Sequence, residues 1–300
     1  MTHKIIEIDL DELTIPNCKW VMNELQRELV VVIKKQTTDP VKFGRLVSGM
    51  SHIANWTQLT WDTDGNYIGS PEYMPNPWEE STFPVQRVTG EKKNDEYTGI
   101  FPVGKLDWHA NLNGPGRADG VALQGIKGVE GTVTSWLNTA KALIDMPAEL
   151  RARIEGKYCS YYYNMENWAD IKNKKQLEYM RNNQEEYKMY ILQKNIAGVE
   201  GMYFYINNDL VIDDGFKEDP TLFDDLRAHI YQEQYMYHHE WEVGDIVLSD
   251  QLLTLHKRRI ETDAVFENRI LHRLTFPISN IITSNCGYGK FIERHNKIGH

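Results

Sequence analysis

The chain is short of cysteine, of positive charge and of long apolar runs, and each shortage removes a class of protein. Cys18, Cys159 and Cys286 are an odd count of three with no C-x-x-C spacing. Neither a disulfide framework nor a cysteine zinc site is therefore expected, and a reducing compartment fits. Against 43 acidic residues stand 33 basic ones, a formal charge of −10, which argues against a general nucleic-acid or anionic-membrane surface. No stretch approaches the ~20 apolar residues of a membrane-spanning helix. The opening Met-Thr-His-Lys-Ile-Ile-Glu-Ile-Asp lacks a signal-peptide pattern, so a cytoplasmic protein is expected. Internal repeats and low-complexity tracts are also missing, which sets aside solenoids and disordered scaffolds. What is present, 41% hydrophobic and 25% charged residues over 300 positions, suits a globular chain with a sizeable core, as one large domain or two small ones.

The most informative stretch runs from Gly244 to Arg273. Gly244-Asp245 is a turn signal, Ile246 to Leu248 a short buried strand, and Ile270, Leu274 and Phe276 mark a second strand by period-two alternation. On that strand Arg269 and Arg273 project together, opposite the apolar face. Two guanidiniums on one face are costly to bury without anions, and their planar forks suit carboxylate or sulfonate groups. Taken alone, such arginines make surface salt bridges and His256 is an ordinary loop histidine. A second stretch changes the weighting: Leu106-Asp107-Trp108-His109-Ala110-Asn111 places a histidine two residues from a potential ligand, and His256 can complete a facial metal site.

Together these residues resemble the TauD/TfdA group of Fe(II)- and 2-oxoglutarate-dependent dioxygenases. The group's Trp-His-x-Asp appears as Trp108-His109-Ala110-Asn111, its Gly-Asp with a later Asp and His as Gly244-Asp245, Asp250 and His256, and its Arg-x-x-x-Arg as Arg269 to Arg273. The resemblance implies a mainly β, α/β fold, a double-stranded β-helix (jelly roll, cupin-like) with flanking helices, filling residues 1–300 as one unit. It also implies Fe(II) on His109 and His256 with Asn111 at the third position, 2-oxoglutarate held by Arg269 and Thr134, and substrate met by Arg273. The reaction implied consumes O2 and hydroxylates a small anionic or zwitterionic molecule; a homo-oligomer is compatible with it. Thr132, two residues earlier, is an alternative to Thr134, and Asp107 an alternative to Asn111, being also two residues from His109. The family carboxylate is here Asn111, a neutral donor. A halogenase-like variant ranks below hydroxylation, since asparagine is bulkier than the glycine or alanine of halogenases. A metal-deficient, anion-binding relative is the other reading.

Along the rest of the chain, Lys4 to Ile8 is expected as a strand, and Asn17 as the cap of a helix carrying Met22, Leu25 and Leu29. Val30 to Ile33 follows as a buried strand, and Asp39-Pro40 opens a helix with Phe43, Leu46, Val47 and Met50 inside. Residues 57–84 read as a long loop whose Tyr67, Tyr73 and Trp78 are local packing. Gly90 to Tyr97 is hairpin-like, Gly120 to Gln124 a core strand, and Gly125 to Gly131 a turn. A helical, largely solvated insertion is expected around 164–193, a strand over Gly198 to Ile206, and a helix opening at Asp219-Pro220. His238 and His239 point to opposite faces if extended, which makes a shared metal site there unexpected.

Overall fold

The computed structural model describes residues 2–53, 85–99, 106–111, 119–161, 186–204, 210–211, 219–259, 267–278 and 291–295. The 57–84 loop with Tyr67, Tyr73 and Trp78, and most of the expected insertion, lie outside them. The chain opens with β1 (Lys4–Ile6) and α1 (Ile15–Glu28). Thr14 caps α1: its hydroxyl accepts from the Asn17 N–H, and the Asn17 side chain returns a bond to the Thr14 N–H. Asn17 is thus the reciprocal partner of the cap rather than the cap itself. Leu29 ends the helix in the left-handed region at φ 68° and releases the chain at once into β2 (Val30–Ile33), buried at all four positions. The Asp39 carboxylate accepts from the Val41 N–H at 2.9 Å and starts α2 (Pro40–Ile53) as proline geometry favours.

Next come β3 (Gln86–Thr89) and a hairpin of β4 (Lys92–Lys93) and β5 (Glu96–Tyr97), which turns at Asn94 and Asp95 with φ 55° and 64°, the primed-turn geometry these residues tolerate. β6 (Leu106–His109), β7 (Gly120–Lys127) and β8 (Val133–Asn138) follow. β7 runs through Gly125, so the expected turn shrinks to its second half, where Gly128 at φ 59° has no room for a side chain beside the Asn268 carbonyl. Asn138 caps α3 (Thr139–Ile144), which leads to α4 (Ala148–Ile154) and β9 (Tyr158–Tyr161). β10 (Glu186–Tyr190) and β11 (Leu192–Lys194) stand where the sequence suggested helix. β10 pairs with β9, supplying long-range partners that outweigh the polar composition. β12 (Glu200–Met202), β13 (Leu210–Val211), α5 (Leu222–Ile230), β14 (Met236–Glu240), β15 (Ile246–Asp250), β16 (Thr254–Arg258), β17 (Ile270–Phe276) and β18 (Phe291–His295) complete the chain. No described helix is long and apolar enough to cross a membrane.

Two sheets carry the architecture, a six-stranded one ordered β1-β2-β15-β7-β17-β3 and a four-stranded one ordered β14-β8-β16-β6. All pairs in them are antiparallel except β1 with β2. Strand alternation explains how they stack. Val31, Ile33, Ala122, Ile246, Leu248, Leu274 and Phe276 face α1 and α2 in one apolar cluster, while Val30, Val32, Val121, Leu123, Val247 and Leu271 turn inward to meet Trp136 and Trp241 in another. Each Val, Leu, Ile or Phe side chain buried in these layers contributes roughly 1.5–3 kcal/mol relative to exposure. This is the expected jelly roll with flanking helices, and the space between its sheets is where the site lies.

Candidate active site

β16 lies between β8 and β6, and His256 is the cross-strand partner of His109. Their ring centroids are 4.2 Å apart. Beyond that pair the register shifts, so that Arg258 faces Leu106 rather than Asp107. Two steps along β16 thus match three along β6, the signature of a bulge. Leu106 and His109 consequently both line the cleft, whereas Asp107 is exposed and accepts from the Trp108 N–H at 2.9 Å. The alternation that placed Asp107 beside His109 is broken by that bulge, and the carboxylate does not line the site.

The carbonyl of Asp107 does contribute, lying 2.7 Å from His109 Nδ1. With Nδ1–H donating there, the Nε2 lone pair is left for a metal. Asn111 sits just past the strand, where its backbone N–H donates to Gln251 Oε1 at 2.8 Å and its amide nitrogen lies 3.1 Å from His256 Nε2. A half-turn of that amide would present its oxygen instead. Although His109 keeps a partly open face, burial pushes its pKa down to about 4, with the Arg258 and Arg273 charges adding and the Asp107 carbonyl opposing. Burial, then His109 and Arg273, push His256 well below its ordinary value. Both imidazoles are therefore neutral near pH 7, the state that ligates.

The facing wall comes from the six-stranded sheet. On β17 and the residue before it, Arg269 and Arg273 are 2% and 9% exposed and line the cleft on either side of Leu271, as alternation predicts. Gln86 accepts from Arg273 and helps to aim it. Thr134, on β8, also lines the cleft, and its hydroxyl oxygen accepts from Trp241 Nε1 at 2.9 Å, leaving its own proton to donate. Thr132 instead spends its hydroxyl on the Val129 carbonyl at 2.7 Å. The cleft holds about 470 Å³ of empty space, part of it continuous with solvent. Sequence reasoning missed Arg258, which also lines it; standing two residues from His256, it was accessible to the same alternation rule.

The Gly-Asp and Asp residues of the motif are structural. Gly244, at φ 86°, lies so close to Gln36 that an added Cβ would sit 2.2 Å from its carbonyl oxygen. Asp245 is fully buried, takes Lys34 Nζ at 2.5 Å, and lies 3.1 Å from His239 Nε2. His238 turns the other way, to Ser135 and Glu233, so the two histidines diverge as expected. Asp250 accepts from the Leu252 and Leu253 N–H groups at 2.7 and 3.0 Å, closing the turn that carries the chain into β16, and burial pushes its pKa up to about 6. Among the described residues no three His, Cys, Asp or Glu side chains gather to hold an ion; the site offers two imidazoles and an amide. Two imidazoles with a short-range oxygen donor fit a divalent metal, and buried arginines in the same cleft fit a dicarboxylate.

Residues 2–275 match the family described as taurine catabolism dioxygenase TauD, TfdA family. Pentalenolactone F synthase of Streptomyces arenae is 33% identical over 69 residues, a match spanning 23% of this chain and 22% of that protein. Among solved structures, a taurine dioxygenase from Burkholderia xenovorans superposes with a TM-score of 0.63 at 16% identity, over 97% of this chain and 92% of that one. Another, AAD-2 in complex with Mn(II) and N-oxalylglycine, gives a TM-score of 0.61 at 16% identity, over 92% and 94% of the two chains.

Proposed function

Because the chain belongs to the TauD/TfdA family of Fe(II)- and 2-oxoglutarate-dependent dioxygenases, we propose that its cleft hydroxylates a small anionic or zwitterionic molecule. Fe(II) would be held by His109 and His256 with Asn111 at the third position, and 2-oxoglutarate by Arg269 and Thr134. The observation that carries this reading is the cross-strand histidine pair, 4.2 Å between rings, opening onto the same cleft as two buried arginines. When bound, iron and 2-oxoglutarate together supply O2 activation and the oxidising power to break a C–H bond.

The chain's own groups do the positioning. The Asp107 carbonyl fixes the His109 tautomer, and Gln251 holds Asn111 by its backbone. The Arg269 guanidinium suits bidentate binding of a distal carboxylate, with the Thr134 hydroxyl adding a donor. Arg273 is left for the acidic group of the substrate, and Arg258 adds a third positive charge to the lining. Val88, Leu106, Leu123 and Leu271 give apolar walls that limit water around these charges. Asn111 fills the corner beside His256, which favours hydroxylation over halogenation. Buried thiols at Cys18 and Cys159 fit a reducing, cytoplasmic setting. Anaerobic titration with Fe(II) and 2-oxoglutarate tests the assignment: a weak visible metal-to-cosubstrate band is expected. Its absence, with no binding of either partner by calorimetry, would make a metal-deficient, anion-binding relative the better description.

A further inference from the structure

A row of aromatic rings crosses the inner face of the four-stranded sheet. His109, His256, Trp136 and Tyr237 are successive cross-strand partners on β6, β16, β8 and β14. Directly opposed residues share a face, so these side chains stand in line. Ring centroids are separated by 4.2 Å from His109 to His256, 6.5 Å on to Trp136, and 6.3 Å on to Tyr237. Tyr237 then stacks on His3 at 3.6 Å, and both of these rings are only half-buried. The row therefore connects the two-histidine pair to the protein surface through Trp136, which is 1% exposed.

Its outer end carries a proton acceptor. Tyr237 Oη lies 2.7 Å from His239 Nδ1, and His239 Nε2 lies 3.1 Å from Asp245 Oδ2. The second contact is a close approach of charge to dipole, since its hydrogen-bond alignment is poor. With Nε2–H turned to Asp245, Nδ1 holds the lone pair and accepts from the phenol. Burial pushes the Tyr237 pKa above its ordinary value, so the phenol does not ionise unaided at neutral pH. Phenols are difficult to oxidise while they keep their proton and much easier when a base takes it in the same event. Trp136, in contrast, has its indole N–H buried without a hydrogen-bond partner, which suits an intermediate stop that keeps its proton for want of an acceptor.

We propose that this row is an electron-transfer path that carries an oxidising equivalent from the two-histidine centre to Tyr237, where it is quenched at the surface. The inference rests on the assignment of the metal to His109 and His256. Its oxidant is the family's own, generated when O2 and 2-oxoglutarate are consumed with no substrate in place. The Trp136 indole would give up one electron to the oxidant that bound iron, 2-oxoglutarate and O2 would supply. The resulting indole radical cation takes an electron from Tyr237, whose phenolic proton moves to His239 Nδ1. A neutral tyrosyl radical and an imidazolium beside the Asp245 carboxylate result. One electron from a reductant in solution, a thiol or ascorbate, together with the returning proton, restores both, and a second electron from the same reductant cancels the oxidising equivalent that would remain at the centre.

The test loads the protein with Fe(II) and 2-oxoglutarate, records the visible band, admits O2 without substrate, and freezes the sample for electron paramagnetic resonance. A tyrosyl signal is expected in the parent and not in Tyr237→Phe, which keeps the ring and the packing. Tyr237→Phe should also accumulate oxygen-atom mass gains on cleft peptides several-fold faster. Tyr235→Phe, a buried tyrosine off the row, should match the parent in both measurements. Trp136→Phe should behave as Tyr237→Phe does. A parent that shows the band but no tyrosyl signal, or a Tyr237→Phe protein that retains the signal, overturns the path and leaves the metal assignment standing. Absence of the band itself removes the oxidant and overturns both.

Discussion

The six-stranded sheet presents Arg273 from β17, a seven-residue strand paired on both sides and covered on its outer face by helices, and Arg269 from the residue leading into it, whereas the four-stranded sheet presents His109 from β6, a four-residue strand at its edge. Buried guanidiniums carry a large desolvation cost, and a mobile anchor would let them drift from the anions that offset it. Fixing their backbone on both flanks avoids that. An imidazole buried in its neutral form costs far less and can sit on an edge, where the Asp107 carbonyl sets its orientation. The anion-binding half of the cleft is thus built as core, and the metal-binding half as a core histidine facing an edge one.

Removing an imidazole should break that division most severely. Either His256→Ala or His109→Ala is expected to abolish Fe(II) binding in anaerobic titration, because a site whose third donor is neutral has no ligand to spare. Iron retained by His109→Ala but lost from His256→Ala would show that the edge strand is not a ligand carrier. On the opposite wall, Arg269→Ala should cost on the order of 2–5 kcal/mol of 2-oxoglutarate affinity by calorimetry. An unchanged affinity would remove Arg269 from the cosubstrate. Arg273→Ala should raise substrate KM while sparing uncoupled 2-oxoglutarate turnover; loss of both would place it on the cosubstrate instead.

Smaller changes sharpen the comparison. Asn111→Asp should tighten Fe(II) binding by about tenfold, the scale on which neighbouring carboxylates commonly act at metal sites. Asp107→Asn should leave iron affinity unchanged, since the bulge turns that side chain to solvent; a loss would mean the bulge closes when metal enters. A separate effect is on stability. His272 lies on the helix-covered face of β17, and burial, with Arg87 nearby, holds its pKa at about 4. In the unfolded chain it would protonate near 6.5. Between those values the unfolded state binds a proton that the folded state refuses, so stability should fall as pH drops from about 6.5 towards about 4. Urea midpoints measured across that window should fall less steeply in His272→Gln, and an identical slope would exclude this histidine as the source.

Local signals in the sequence carried the scaffold well. The unbroken Val30–Ile33 run, the Asp39-Pro40 cap and the alternation through Phe276 all appear as expected, because each depends on chemistry within a few residues. The same alternation placed Arg269 and Arg273 on one face; Thr132 and Thr134 are two apart and alike in parity, and what separates them is that β8 begins after Thr132, whose hydroxyl bonds the Val129 carbonyl. What failed depended on partners far along the chain. Nothing within Leu106-Asp107-Trp108-His109 announces a bulge, because the shift arises in pairing with β16, more than a hundred residues later. Glu186–Tyr190 carries a helix-like composition but is held between β9 and β18. The reciprocal cap at Thr14 displaced Asn17 by three residues, an error of boundary rather than of type.

The strand order of the six-stranded sheet also governs when the protein can fold. β2 finds its antiparallel neighbour only in β15, and β7 lies between β15 and β17, so strands near positions 30 and 120 wait for partners beyond 245. During synthesis at roughly 5–20 residues per second, Val30, Val32 and the apolar faces of α1 and α2 therefore remain without their central sheet for about ten seconds or longer. Pairings so distant in sequence are intrinsically slow to close. The nascent amino-terminal third is thus the segment most in need of a chaperone, and the cleft cannot exist in any form until Phe276 has left the ribosome.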